Sequence, residues 1–219
     1  MSLAVNKYTD TVYNPVFLSI LEDVVGGVTI STTRLPSTTL KLAPGTPLAE
    51  SSSSVGLYNI VKTAKLKRTL GTGACVTIYV YSSNLPNSPQ HDFKVGEWIM
   101  IDGTGSASTI ATITIGTKTS GVGTDTIILT AGGGGLNATA ITNTLLIEAS
   151  DDCTTGAAVK FSADCLLRDA VKVRLDDGTT LQNIMAGAVV RGSVDESILP
   201  YGMTTEGVKT PLTARIRFA

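Results

Sequence analysis

Charged residues are scarce in this chain of 219 residues: they make up 16% of it, and the net charge is −1. Nucleic-acid binding draws much of its affinity from the release of counterions around phosphates, which requires a basic surface. The densest positive group is Lys62, Lys65, Lys67 and Arg68, and we interpret it as the solvated face of a strand. The composition therefore predicts no nucleic-acid partner.

Long apolar runs are also missing. No segment approaches the roughly 20 consecutive apolar residues that a membrane span requires. The first residues lack the basic start followed by an apolar stretch that is typical of a secretory signal. The sequence predicts a protein without a membrane partner that is made and used without secretion.

Cysteines are few, and their pattern points to no special chemistry. The chain has three, Cys75, Cys153 and Cys165, an odd number without CxxC spacing. This count argues against a disulfide framework or a zinc site and favours small buried side chains. A bond between Cys75 and Cys153 is an alternative, since these two residues lie near the two ends of one segment.

Catalytic and ligand-binding signatures are absent as well. His91 is the only histidine, no G-x-S-x-G motif accompanies it, and we expect it in a surface loop. The glycine run 132–135 is not followed by the Lys-Ser/Thr of a phosphate loop. The acidic groups at 151–152 and 176–177 lack the spacing of a calcium loop. We predict no enzyme activity, no cofactor and no metal; a carboxylate pair for glycoside hydrolysis stays open, because such pairs meet only in the fold.

What the chain does have is the composition of a β-protein. It is 42% hydrophobic with 22 glycines, and Val, Ile and Thr are frequent. Leu40 to Lys65 reads as a β-hairpin unit, with turn formers at 43–47 and a serine turn at 51–54. The fold class predicted is mainly β.

The middle of the chain predicts a further group of short strands. Their near-regular spacing and alternating patterns are typical of a small β-barrel or sandwich, with Trp98 in its core. The strands are expected at 74–81, 93–103, 108–115, 125–130, 145–149 and 157–162.

The two ends of the chain carry weaker signals. A short amphipathic helix or arm is predicted near the N-terminus, because Asn14-Pro15 is followed by apolar residues on one face, Val16, Phe17, Ile20, Leu21 and Val24. A strand is predicted at 28–33. Near the other end we expect one or two helical turns at 181–185, a strand at 188–194, a capped turn at 195–199 and a final strand at 212–218.

Three motifs in this order resemble a known family. They are PGTPLAES…GLYNIVKTA, ADCLLRDAVKV and AVVRGSVDESILP, and they lie within 40–67 and 159–218. The pattern resembles the lambda-type head decoration proteins of tailed bacteriophages. The resemblance implies a small β-rich, β-tulip-like base domain. The segment from about 69 to 155 has no counterpart in the simplest members. We therefore expect an arm at 1–33, a discontinuous base at 34–68 and 156–219, and an inserted β-domain at 69–155.

The resemblance also implies a role and partners. Such proteins bind the major capsid protein on the outside of the head, commonly as homotrimers, and stabilise the capsid; they are made in the bacterial cytoplasm. Their N-terminal arm commonly adds a strand to the capsid surface. The residues that we expect to contact capsid or a neighbouring subunit are Tyr13, Phe17, Ile20, Leu21, Pro44, Gly45 and Leu48.

An alternative function is adhesion. Aromatic side chains supply stacking platforms in many glycan sites, and the inserted segment holds Tyr79, Tyr81, Phe93 and Trp98. A head fibre or adhesin that binds host-surface glycans would keep these side chains exposed, whereas a capsid-stabilising protein would bury them.

Overall fold

A computed structural model describes residues 16–70, 74–75, 77–83, 91–102, 107–116, 122–130, 136–137, 143–150, 158–175, 179, 181–199 and 202–219. The protein is mainly β, as the composition predicts, and the short helical segments among the described residues lie near the C-terminus. Most of the strands belong to two sheets.

The first sheet has eight strands. These are β1 (Phe17–Asp23), β2 (Val28–Ile30), β4 (Pro47–Ser51), β5 (Ser54–Ile60), β14 (Cys165–Leu167), β16 (Ile184–Ala186), β17 (Ala188–Val194) and β18 (Ile216–Phe218). Their order is β1-β17-β14-β4-β5-β2-β16, with β18 also pairing with β17. The β4–β5 pair is the predicted hairpin, and its turn lies at the predicted serines.

The second sheet has six strands in the order β6-β13-β9-β10-β11-β8. They are β6 (Thr63–Lys65), β8 (Thr77–Ser83), β9 (Trp98–Ile101), β10 (Ala107–Thr114), β11 (Val122–Leu129) and β13 (Leu145–Glu148). Leu66, just after β6, bridges to Val80 of β8, and the Lys67 amide donates to the Tyr79 carbonyl at 2.8 Å. The sheet therefore curls until its two outer strands meet, which gives the barrel-like form that the strand spacing predicts.

Two short ladders and a few helical turns complete the described structure. The ladders join β3 (Lys41–Leu42) to β15 (Val171–Lys172) and β7 (Ala74–Cys75) to β12 (Leu136–Asn137). A 3₁₀ turn spans Glu196–Ile198, where the Asp195 carboxylate accepts the Ser197 amide at 2.9 Å, as the capped-turn prediction requires. A π-helical segment, Thr205–Lys209, leads into the turn Thr210–Leu212 and then to β18.

The two sheets share a core. In β9, Ile99 lies in the core cluster of the second sheet, whereas its neighbour Met100 lies in a cluster that also contains Leu166 and Val189 of the first sheet. Alternate residues of a strand point to opposite faces, so a strand buried on both faces can serve two cores. A third cluster covers the other face of the first sheet, and Leu48 and Cys165 lie in it.

Several local predictions are wrong. Of the helix or arm predicted near the N-terminus, the helix is wrong: these residues form β1, an edge strand that pairs antiparallel with β17, because tertiary hydrogen bonds override a weak local helical pattern. The helical turns expected at 181–185 are replaced by β16, which pairs with β2. The strand expected at 157–162 is reduced, over its described residues, to one bridge between Val159 and Ala149. The final strand is confined to Ile216–Phe218.

The second sheet begins earlier in the chain than the insert expected at 69–155. β6 pairs with β13 through Thr63, Ala64 and Lys65, ahead of residue 69. Ala64 and Leu66 lie in the core of the second sheet. The first strand of this sheet therefore comes from the stretch that the motif pattern assigned to the base.

Candidate functional site

The edge strand β1 forms the most exposed apolar surface among the predicted contact residues. Its one described neighbour is β17, and its five central residues are exposed. Leu18 is 56% exposed, Ile20 44% and Leu21 71%. Phe17 is half-buried against the shared core. Tyr13 lies outside the described residues. We call Leu18, Ile20 and Leu21 on this strand the β1 edge.

The second predicted contact region, Pro44 to Leu48, is not a hairpin tip. β3 pairs with β15 and β4 with β14, so the turn between β3 and β4 does not join paired strands. The Gly45 amide donates to the Leu167 carbonyl at 2.7 Å, and Gly45 has a positive φ of 80°. Pro44 is half-buried, Gly45 is buried, and Leu48 is fully buried in the core. Gly45 and Leu48 therefore present no surface to a partner.

The aromatic side chains of the expected insert lie in different environments. Phe93 is 1% exposed, whereas Trp98 is half-buried against the shared core. Tyr79 and Tyr81, two residues apart on β8, are also half-buried. The Arg68 guanidinium lies 4.4 Å from the centre of the Tyr79 ring, and the Lys67 ammonium 5.8 Å from that of Tyr81. The two tyrosines thus form a half-exposed face flanked by cations.

His91 lies beside a cavity of about 430 Å³, not in an exposed loop as the sequence predicts. The cavity is lined mainly by two stretches, 36–38 and 91–95, together with Ile113, Ile115 and Asp125. His91 is 6% exposed, Asp92 3% and Asp125 3%. This volume is large enough for a small ligand, so the chemistry of its polar side chains decides what the cavity can do.

Both ring nitrogens of His91 are engaged. Nδ1 accepts the Phe93 amide at 3.2 Å, which places the proton on Nε2, and Nε2 lies 3.4 Å from Asp125 Oδ2. Asp125 Oδ1 in turn accepts the Gly116 amide at 2.9 Å. A general base needs one nitrogen free to take the proton of a nucleophile. In this arrangement His91 joins its own loop to β11 and has no nitrogen left for a substrate.

A second cluster lies at the junction of the two sheets, and no motif revealed it. It contains Arg34, Lys62, Glu97, Glu148 and Lys160, which we call the junction cluster. Lys62 Nζ lies 2.5 Å from Glu97 Oε1 and donates to the Arg34 carbonyl at 2.6 Å. Arg34 forms an ion pair with Glu148, and Lys160 Nζ lies 2.9 Å from Glu148 Oε1. Five charged side chains therefore meet in a chain that has few.

Lys62 is the most buried member of the junction cluster. The sequence predicts a solvated position for it, but its side chain is completely buried. Burial lowers the pKa of Lys62, and the neighbouring Glu97 and Glu148 carboxylates oppose that shift. An unpaired charge at this depth would be strongly destabilising, so the position requires the carboxylate that lies next to it.

The remaining site predictions concern metals, membranes and cysteines. Within the described ranges, no three His, Cys, Asp or Glu side chains are grouped so that they could hold a metal ion. No helix in the described part of the chain is long and apolar enough to cross a membrane. Cys165 is a free, buried thiol. The alternative pairing of Cys75 with Cys153 lies outside what the structure describes, as do the glycine run 132–135 and the acidic groups at 151–152 and 176–177.

Comparison with known proteins identifies no relative: no family model, no curated protein and no solved structure matches the chain.

Proposed function

We propose that this chain is a non-enzymatic structural protein of a phage virion that binds the outer surface of the capsid and stabilises the head. The observation that carries the proposal is the β1 edge, an apolar strand edge with no described neighbour on its outer side. The resemblance of three sequence motifs to those of lambda-type decoration proteins suggests the partner that we propose, the major capsid protein.

An exposed apolar edge is unusual in a protein that works alone. Natural sheets protect their edges with charges, prolines or bulges, because free amide and carbonyl groups pair with other chains. β1 has some of these features, since its pairing with β17 is irregular at three points and it ends in Glu22 and Asp23, but it still presents three exposed apolar side chains next to the N-terminal segment. A strand of the capsid that pairs with it would gain backbone hydrogen bonds and cover these side chains.

Stabilisation of the head follows from binding alone. Each bound copy adds contacts that must break before the capsid subunits separate, so binding to the assembled state favours that state. We propose a homotrimer at positions where capsid subunits meet. The low net charge of −1 fits such an association, since it brings little electrostatic repulsion between copies.

The test is binding to expanded, undecorated heads of the phage. Four proteins would each be mixed with heads and sedimented. They are the full chain, a chain lacking Met1 to Val24, and the full-length variants Leu21→Asp and Val55→Asp. Val55 is 98% exposed in the β4–β5 hairpin and outside the β1 edge, so it is the matched control for Leu21. We expect the full chain and Val55→Asp to bind and to raise the heat resistance of the heads. Leu21→Asp should bind at least tenfold more weakly, and the truncated chain should not bind.

Two results would count against this proposal. Equal binding by Leu21→Asp and Val55→Asp would remove the β1 edge from the contact surface. Failure of the full chain to bind heads would favour the alternative, a glycan-binding fibre or adhesin. The observation that supports the alternative is the half-exposed pair Tyr79 and Tyr81 with Arg68 and Lys67 beside the rings.

A further inference from the structure

The junction cluster brings an amine and a carboxylate into contact in a buried place. Lys62 Nζ lies 2.5 Å from Glu97 Oε1, and the exposed fractions of the two side chains are 0% and 13%. The other oxygen of Glu97 accepts the Lys94 amide at 2.8 Å, which fixes the plane of the carboxylate. The two groups that an amide bond would join are therefore already held in contact.

Burial favours a neutral amide between Lys62 and Glu97 over the ion pair of an ammonium and a carboxylate. Two charges removed from water lose solvation that their mutual attraction replaces only in part, whereas a neutral amide avoids that cost. Holding the groups in contact also replaces a bimolecular step by an intramolecular one, and effective concentrations of about 10⁵ M or more are known for well-oriented pairs. Both effects favour condensation at this position over condensation of free amines and acids in water.

The neighbours of the pair are suited to assist the reaction. Glu148 is buried, its amide donates to the Lys62 carbonyl at 3.1 Å, and its Oε2 has no hydrogen-bond partner among the described residues. Because Glu148 is bound to Arg34 in the same cluster as Lys62, its free oxygen is the candidate base that takes a proton from the ammonium and releases the amine as a nucleophile. Arg34 Nη2 lies 3.6 Å from Glu97 Oε1, the oxygen that leaves, and the Lys94 amide donates to Oε2, the retained oxygen on which negative charge develops.

We propose that Lys62 and Glu97 condense to an intramolecular isopeptide bond. Nζ attacks Cδ of Glu97, the bond between Cδ and Oε1 breaks, and Oε1 leaves as water. Two of the three ammonium protons end on that water, with Glu148 relaying them, and the third stays on the amide nitrogen. One positive and one negative charge disappear, so the step balances without an oxidant, a reductant or a co-reactant.

The bond would link the segment between β5 and β6 to the residue before β9. It would tie the end of a strand of the first sheet to the second sheet at their junction, and shorten the loop that the unfolded chain can explore. The inference does not depend on the proposed binding to capsids.

The test is the intact mass of the purified full chain, followed by peptide mapping. We expect a mass about 18 Da below that of the sequence, the loss of one water, and a branched peptide that joins Lys62 to Glu97. Lys62→Arg and Glu97→Ala should keep their full sequence masses. Glu97→Gln should form the same amide with loss of ammonia, about 17 Da.

Dehydration of an Asp-Gly sequence, as at Asp102-Gly103, would remove the same mass. It gives no branched peptide, and mild alkali reverses it.

An unmodified wild-type chain, folded and at full mass after days at neutral pH, would overturn the proposal, and this result does not depend on the folding of any variant. If the bond forms in wild type, Glu148→Gln should slow the loss of mass at least tenfold while leaving the far-UV spectrum unchanged. An unchanged rate would remove Glu148 from the mechanism.

Discussion

Cys165 shows how burial sets the chemistry of one residue. It lies in β14, is 1% exposed, and packs in the cluster that covers one face of the first sheet. Burial raises the pKa of its thiol from 9.0 to about 12, and the nearby Asp164 and Glu50 carboxylates act in the same direction. The folded protein therefore keeps a neutral thiol in a pH range where the unfolded chain holds a thiolate.

This difference predicts a loss of stability in alkali. Between pH 9.0 and about 12 the unfolded state releases a proton that the folded state retains, so the free energy of unfolding falls as the pH rises. The loss from this residue should be about 1 kcal/mol at pH 10. Urea unfolding at pH 8 and pH 10, with a reducing agent present, would measure it.

Cys165→Ala is the control for this effect. The variant should be less stable at pH 8, because it leaves a small cavity, but it should lose less stability between pH 8 and pH 10 than the wild type. Burial also raises the pKa of Tyr58, so this residue too should lower the free energy of unfolding in alkali. Tyr58→Phe removes that contribution and measures its size. An identical pH dependence in Cys165→Ala and wild type would contradict the assignment to Cys165.

At the scale of the element, β1 owes its position to a glycine in its partner strand. A Cβ atom at Gly192 of β17 would lie 2.3 Å from the Ser19 carbonyl oxygen, closer than real contacts allow. The register between β1 and β17 is also irregular at three points. The strand therefore lies close to β17 because position 192 has no side chain.

Gly192→Ala should loosen β1. To make room, the backbone of β1 must move away from β17, and we expect a loss of about 1 to 3 kcal/mol in the free energy of unfolding. Hydrogen exchange at the amides of β1 should increase more than exchange elsewhere in the first sheet. Ser193→Ala is the matched control, since it removes one exposed hydrogen bond to Ser19 without a steric conflict. Equal protection of β1 in both variants would show that the close approach does not hold the strand.

At the scale of the whole molecule, the two sheets are joined by one core. Met100 and Ile147 from the second sheet pack in the same cluster as Leu166 and Val189 from the first. The junction cluster adds ion pairs across the same boundary, including Arg34 with Glu148. A region joined through both apolar packing and charges should unfold together with its neighbour.

Met100→Ala tests this coupling. Met100 is fully buried, so its truncation should cost about 2 to 5 kcal/mol, and the loss should be the same by Trp98 fluorescence and by far-UV circular dichroism. Met185→Ala is the matched control, because Met185 is 74% exposed and its truncation should change stability by less than about 0.5 kcal/mol. Two separate transitions in wild type would show instead that the sheets unfold independently.

The sequence by itself determined the features that depend on near neighbours. The mainly β class, the β4–β5 hairpin, strand β17 and the Asp195 cap follow from alternation, turn residues and side-chain oxygens a few positions apart. Only the tertiary structure decided which residues pair and which are buried. Arg34 and Glu148 are 114 residues apart, and Lys62 belongs to a group of basic residues that is typical of a solvated strand face, so no local pattern marks the junction cluster. The same reason applies to β1 and His91, because strand pairing and burial depend on distant segments that reach the same place only when the chain folds.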